Sequence, residues 1–230
     1  MEKKVISKTT FDFLKDLEKN NNRDWMTSHK GNYLKAQENM IAFADALLMM
    51  MGRHDKIKTS SGKSSLYRIY NDLRFHKDKT PYNPRFAGSF ARVKPHLRGG
   101  YHFQIKPGNS YVSCGFFFPN PEDLKRIRTD IEYNYKAWNK MLQSKAIKEN
   151  FGQILGKKVE STPRGFTKDH PAIELIRHKQ FIFRHNFTDK EVLNPDFVNQ
   201  ANNTFKSIRK YFDYMSEILT TDSNGESLIL

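Results

Sequence analysis

The stretch Arg68-Ile69-Tyr70-Asn71-Asp72-Leu73-Arg74-Phe75-His76-Lys77-Asp78-Lys79-Thr80-Pro81-Tyr82 concentrates the residues of this chain that could do chemistry. If it is extended, Arg68, Tyr70, Asp72 and Arg74 project from one face about 6.6 Å apart, and a turn at Thr80-Pro81 brings Lys77 and Lys79 close. Such a face does one of two things. It locks a neighbouring loop through Arg–carboxylate forks, or it holds a phosphate or carboxylate between paired guanidinium groups, with Asp72 orienting one of them. The residue types leave both open. An enzyme on a phosphorylated or carboxylated small molecule would use Arg68 and Arg74 as the clamp and Asp72, Asp78 or His170 as proton carrier, so no catalytic residue is fixed.

Other motifs carry less. Ser61-Gly62-Lys63-Ser64 resembles the end of a phosphate-binding loop, but the glycine that motif requires upstream is Ile57 here, and no strand precedes it. The histidines are scattered, with no helical pair and no cysteine partner, so neither a metal nor a cofactor is expected. Cys114 stands in an apolar run and reads as a small core residue.

The elements that must position the segment follow from periodicity. Thr10 caps a short helix carrying Phe11, Leu14 and Leu17, and Asn22 starts a second. From Gly31 to Met51 one apolar stripe persists over several turns and stops at Gly52. Residues 66–75, 101–105 and 111–118 read as strands, the last two joined by Lys106-Pro107-Gly108-Asn109 as a type II turn. Phe116, Phe117 and Phe118 in a row imply a strand buried on both faces, or one whose end is covered by helices. Asn120 caps the next helix with Pro121 in its first turn, and another follows to Asn150. A short helix after His170-Pro171, a strand around 181–185, and one long helix over 195–219 complete the chain. The expectation is an α+β fold, a central antiparallel sheet flanked by helices, forming a single domain over residues 1–230 with a loosely ordered tail at 220–230.

Composition bounds the partners. Lys and Arg number 39 against 25 Asp and Glu, a net charge of +14, which favours polyanions. The charge is concentrated: residues 68–106 hold nine cations (Arg68, Arg74, Lys77, Lys79, Arg85, Arg92, Lys94, Arg98, Lys106) and two acids, Asp72 and Asp78. No run is long enough to cross a membrane, and the lone cysteine fits a reducing compartment, so a cytoplasmic location is expected.

The segment RIYNDLRFHKDKTPY resembles the bacterial and fungal family called domain of unknown function 2461. Further landmarks agree: Phe13-Leu14 with Asn20-Asn21-Asn22-Arg23-Asp24-Trp25, Gly100-Tyr101, Gly115, Pro121 with Leu124 and Ile127-Arg128, then Gly165-Phe166, Lys168-Asp169-His170-Pro171 and Phe181. The resemblance covers residues 9–215. It implies an α+β fold and marks Arg68, Asn71, Asp72, Arg74, Lys77, Asp78, Lys79 and Tyr82 as the signature, without giving any of them a role. With Tyr70 and His170 these form the candidate ligand set. The function expected is a basic binding protein for phosphate-bearing ligands, with nucleic acid or a phosphorylated small molecule as partner. The alternatives are the enzyme above and a structural module in which the signature only fixes the fold.

Overall fold

Ser7 starts the fold by accepting a hydrogen bond from the Thr10 backbone N–H, so α1 (Lys8–Lys19) begins ahead of the cap that the sequence implies. The computed structural model describes residues 5–72, 74, 80–222 and 224–229. After α1, Asn22 caps α2 (Arg23–Ser28) through the Trp25 N–H, and α3 spans Lys30–Met51 before Gly52. The stripe of α3 turns Ala36, Met40, Phe43, Ala44, Leu47 and Met51 inward, whereas Met49 lies outside it and is exposed. Then come α4 (Gly62–Ser65), β1 (Phe86–Ala91), β2 (Gly100–Ile105), β3 (Ser110–Phe116), α5 (Pro121–Leu142), α6 (Lys145–Phe151) and α7 (Ile173–Ile176). The chain ends with β4 (Phe181–Phe187), α8 (Asp189–Val192), α9 (Phe197–Ser207) and α10 (Arg209–Thr220).

The four strands form one antiparallel sheet in the order β1-β2-β3-β4, and the class is α+β. Among the described residues no helix is long and apolar enough to cross a membrane. The turn between β2 and β3 is built as its residues demand. Gly108 adopts φ +72° and the Asn109 N–H donates to the Lys106 carbonyl at 2.9 Å.

Three expectations need correction. The described residues within 66–75 supply no strand of the sheet and make isolated bridges, Leu66 to Gly88 and Tyr70 to Tyr82; the strand at this edge is β1, which the alternation does not indicate. β3 is buried on both faces, as its phenylalanines imply, but it ends at Phe116 and not at 118, so Phe117 is half-buried and Phe118 is 90% exposed. The last helix is two, parted at Ile208, although its apolar steps hold on both sides of the break. Ser61-Gly62-Lys63-Ser64 opens a single helical turn against α3, where the Gly62 N–H already donates to the Asp45 carboxylate at 2.6 Å.

The chain divides into two compact units. Unit 1 comprises Met1–Phe90, His102–Val112 and Asn186–Asn203. Phe43 of α3 organises its core, stacking on Phe197 at 5.5 Å and meeting Phe103 of β2 edge-on at 5.7 Å. Gly88 allows the chain to close over Phe103, since a Cβ there would fall 2.7 Å from the Phe103 ring. Each fully buried phenylalanine contributes about 1.5–3 kcal/mol of transfer free energy.

Unit 2 comprises Ala91–Tyr101, Ser113–His185 and Thr204–Leu230. Its core gathers Trp138, Phe181, Phe183 and Tyr211, all without exposed surface. Gly115, at φ +139°, lets β3 approach β4 where a Cβ would stand 2.1 Å from the Phe181 carbonyl oxygen. Two charged side chains are held by unit 2, Arg92 buried and Asp130 half-buried. The Arg92 guanidinium donates to the Arg98 carbonyl at 2.6 Å and to Ser216 Oγ at 3.2 Å, and its carbon lies 4.9 Å from the Phe212 ring centre. Asp130 accepts from Trp138 Nε1 at 2.6 Å and from the Tyr214 hydroxyl at 2.8 Å.

Candidate functional site

The signature lies in unit 1, on an extended segment that runs beside the start of β1. Its backbone is fixed by three hydrogen bonds: Tyr67 N–H to the Ala87 carbonyl at 2.8 Å, Asn71 N–H to the Pro81 carbonyl at 2.9 Å, and Asn83 N–H to the Ile69 carbonyl at 2.7 Å. A bend at Ile69 breaks the alternation expected of a strand. Ile69 is thereby buried, while Tyr67, Arg68 and Tyr70 are all exposed. Tyr67 and Ile69, two residues apart, therefore do not share a buried face.

Two asparagines hold the arrangement. Asn71 donates its side-chain N–H to the Thr80 carbonyl at 2.9 Å. Asn21 donates from Nδ2 to the Tyr82 carbonyl at 2.8 Å and accepts from the Tyr82 N–H at 3.1 Å. The Asn20-Asn21-Asn22 break and the signature are thus joined in space. Tyr82 is buried and packs under Tyr70, ring centres 5.3 Å apart, and Tyr33 stacks on Phe86 at 6.4 Å. Burial, and then the neighbouring Tyr70 phenol, pushes both Tyr33 and Tyr82 above the ordinary tyrosine range.

The described charged members, Arg68, Asp72 and Arg74, are exposed. Arg74 grips Asp72 with a fork, Nε to Oδ1 at 3.0 Å and Nη2 to Oδ2 at 2.7 Å, and its own N–H donates to the same carboxylate at 3.1 Å. That hydrogen bonding raises the Arg74 guanidinium further above its already high range. The pair is not buried: the Arg74 side chain is 80% exposed. Arg68 is exposed and takes no hydrogen-bond or ion-pair partner among the described residues.

The structure therefore brings Arg68, Tyr70, Asn71, Asp72, Arg74 and Tyr82 together in unit 1. Lys77, Asp78 and Lys79 lie outside the described residues. His170 belongs to unit 2, where its Nδ1 accepts from the Ala172 N–H at 3.1 Å and its ring meets Tyr135 edge-on at 5.8 Å. Among the described residues no three His, Cys, Asp or Glu side chains are grouped to hold a metal ion.

Much of the local positive charge is taken up within the fold. Arg98 pairs with Asp123, Lys106 with Glu18 at 2.7 Å, and Arg92 is buried as described above. Sequence reasoning missed Asn21 as the anchor of Tyr82, and it missed His102 and Tyr111. Their signal was present in β2, where His102 and Gln104 alternate with Tyr101, Phe103 and Ile105.

Residues 9–214 match the model of the family described as "Conserved hypothetical protein (DUF2461)". The chain belongs to this family. Within the DUF2461 match lie Asn21, the whole signature and His170, so the anchor and the exposed cations are parts of one family domain. No curated protein and no solved structure matches the chain.

Proposed function

We propose that this DUF2461 protein binds phosphate-bearing ligands, nucleic acid among them, through the exposed face of its signature segment. One observation carries the reading. The residues that fix the segment, Ile69, Asn71 and Tyr82, are buried or engaged with backbone, while Arg68 stands exposed beside them with no hydrogen-bond or ion-pair partner among the described residues. A purely structural module accounts for the first three and leaves Arg68 without a task. A guanidinium presents several N–H donors in a planar fork that suits phosphate oxygens, and the net charge of +14 draws polyanions toward the chain. Tyr70 adds a hydroxyl beside it, and the Asp72 carboxylate keeps Arg74 aimed. The buried single thiol, Cys114, fits a cytoplasmic, reducing location for such a protein.

The test is a titration of the full chain with labelled single- and double-stranded DNA at two salt concentrations. Binding should weaken steeply with salt, and Arg68→Ala should reduce the slope of log affinity against log salt by about one ion. Absence of binding to either probe at low salt removes the reading.

A further inference from the structure

We infer that unit 1 carries a stacking platform for unpaired bases, formed by Tyr67, His102 and Tyr111, so that the polyanion it takes is single-stranded nucleic acid. This rests on the anion-binding reading and names its substrate class. The three rings form a line across the sheet: Tyr67 and His102 have centroids 5.8 Å apart, and His102 stacks with Tyr111 at 5.6 Å.

The pleat explains how the line arises. Leu66 bridges Gly88, whose position is pressed against Phe103 on the side that meets Phe43 of α3. Tyr67 and Ala87 then face the other way, as do His102 and Gln104, one residue to either side of Phe103. Ala87 has only a methyl group, so the Tyr67 ring reaches over β1 to His102. The consequence is an aromatic side chain that the core does not consume: Tyr67 is 52% exposed, whereas Phe103 is fully buried. His102 and Tyr111 are half-buried in the same line.

Charge on the same side selects the occupant. Arg85 donates its guanidinium to the Gln104 side chain, which puts a cation on the face that carries the rings, while Arg68, the next residue after Tyr67, is an exposed cation of the same segment. Tyr70, 59% exposed, stands beyond Arg68, so an aromatic, a cation and an aromatic are presented in succession. Rings that offer stacking next to cations that offer phosphate contacts are what an unpaired strand recognises, because every base has a π-face and every linkage a charge. A duplex hides its base faces inside the stack and can use only the cations. Neither does a small phosphorylated metabolite without a base engage a line of three rings.

The experiment compares a labelled oligothymidylate with a duplex of the same length, by anisotropy at low salt, using the full chain. Single strand should bind more tightly than duplex. Tyr67→Ala, Tyr67→Leu and Tyr111→Ala should each weaken single-strand binding about fivefold or more and leave duplex binding unchanged. Tyr67→Phe should bind as wild type does. Tyr67→Leu still covers Ala87 without a ring, so its loss, at an unchanged melting midpoint, separates stacking from folding. Equal affinity for both probes, indifferent to Tyr67, overturns the platform and leaves the anion site standing. No binding to either probe overturns both.

Discussion

Asn21 grips Tyr82 by both of its backbone groups, donating to the carbonyl at 2.8 Å and accepting from the N–H at 3.1 Å. A side-chain amide here does what a neighbouring strand would do, and it does so from the turn between two helices. The segment that presents Arg68 and Tyr70 is held in place from behind by this one residue together with Asn71.

Removing the amide should therefore cost stability. Asn21→Ala leaves two partly buried backbone groups unpaired, an expected loss of about 2 kcal/mol, or roughly 6 °C in melting midpoint for a chain of this size. Asn21→Asp should be no better, because a carboxylate keeps the acceptor for the N–H but sets a second acceptor against the carbonyl. An unchanged midpoint in both variants would show that the clamp is dispensable.

Arg74→Ala should behave in the opposite way. Its fork with Asp72 is exposed, and exposed ion pairs contribute little, so the midpoint should stay within about 2 °C of the wild type. Asp72→Ala removes the carboxylate that keeps Arg74 aimed, so polyanion binding at low salt should weaken even though a negative charge is deleted. Stronger binding in Asp72→Ala would mean that Asp72 only repels the ligand.

Alkali should unfold the protein through unit 2. Burial raises both the Cys114 thiol and the Tyr211 phenol well above their ordinary values of 9.0 and 10.0, and burial with the Asp130 contact raises Tyr214. Above about pH 9 the unfolded chain releases these protons first, while the native chain retains them. Their stabilisation is thus complete at neutral pH and is lost as pH rises, by about 1.4 kcal/mol per pH unit for each group. Tyr211 also has a buried hydroxyl with no hydrogen-bond partner among the described residues. Tyr211→Phe should leave stability at pH 7 equal or higher and flatten the alkaline fall, as followed by urea unfolding across pH 7 to 11. A flat profile in the wild type would contradict the burial of these groups.

Local signals were readable where local physics decides. Asn120 accepts from the Asp123 N–H as its position ahead of Pro121 implies, and Pro107-Gly108 makes the expected turn. The candidate segment was harder. Residues 66–75 alternate on paper, but the bend at Ile69 turns that residue inward and Tyr67 outward, and the bend is imposed by pairing with residues 81–88 rather than by its own sequence. β1 is not legible because Phe86-Ala87-Gly88-Ser89 mixes small residues with aromatics, and Gly88 is needed because the Phe103 ring and the Ser65 carbonyl, both outside that window, close on it. The role of Asn21 likewise depends on a partner many positions away, which no window along the chain can contain. The aromatic line across β2 and β3 was visible as alternation, yet its exposure depended on Ala87 being small.

The buried position of Cys114 gives the protein an internal clock. A thiol with no exposed surface, held protonated by its surroundings, cannot meet a soluble alkylating reagent while β3 stays in place. Each labelling event then records one opening of that strand, so the rate of modification at saturating reagent counts how often the middle of the sheet comes apart.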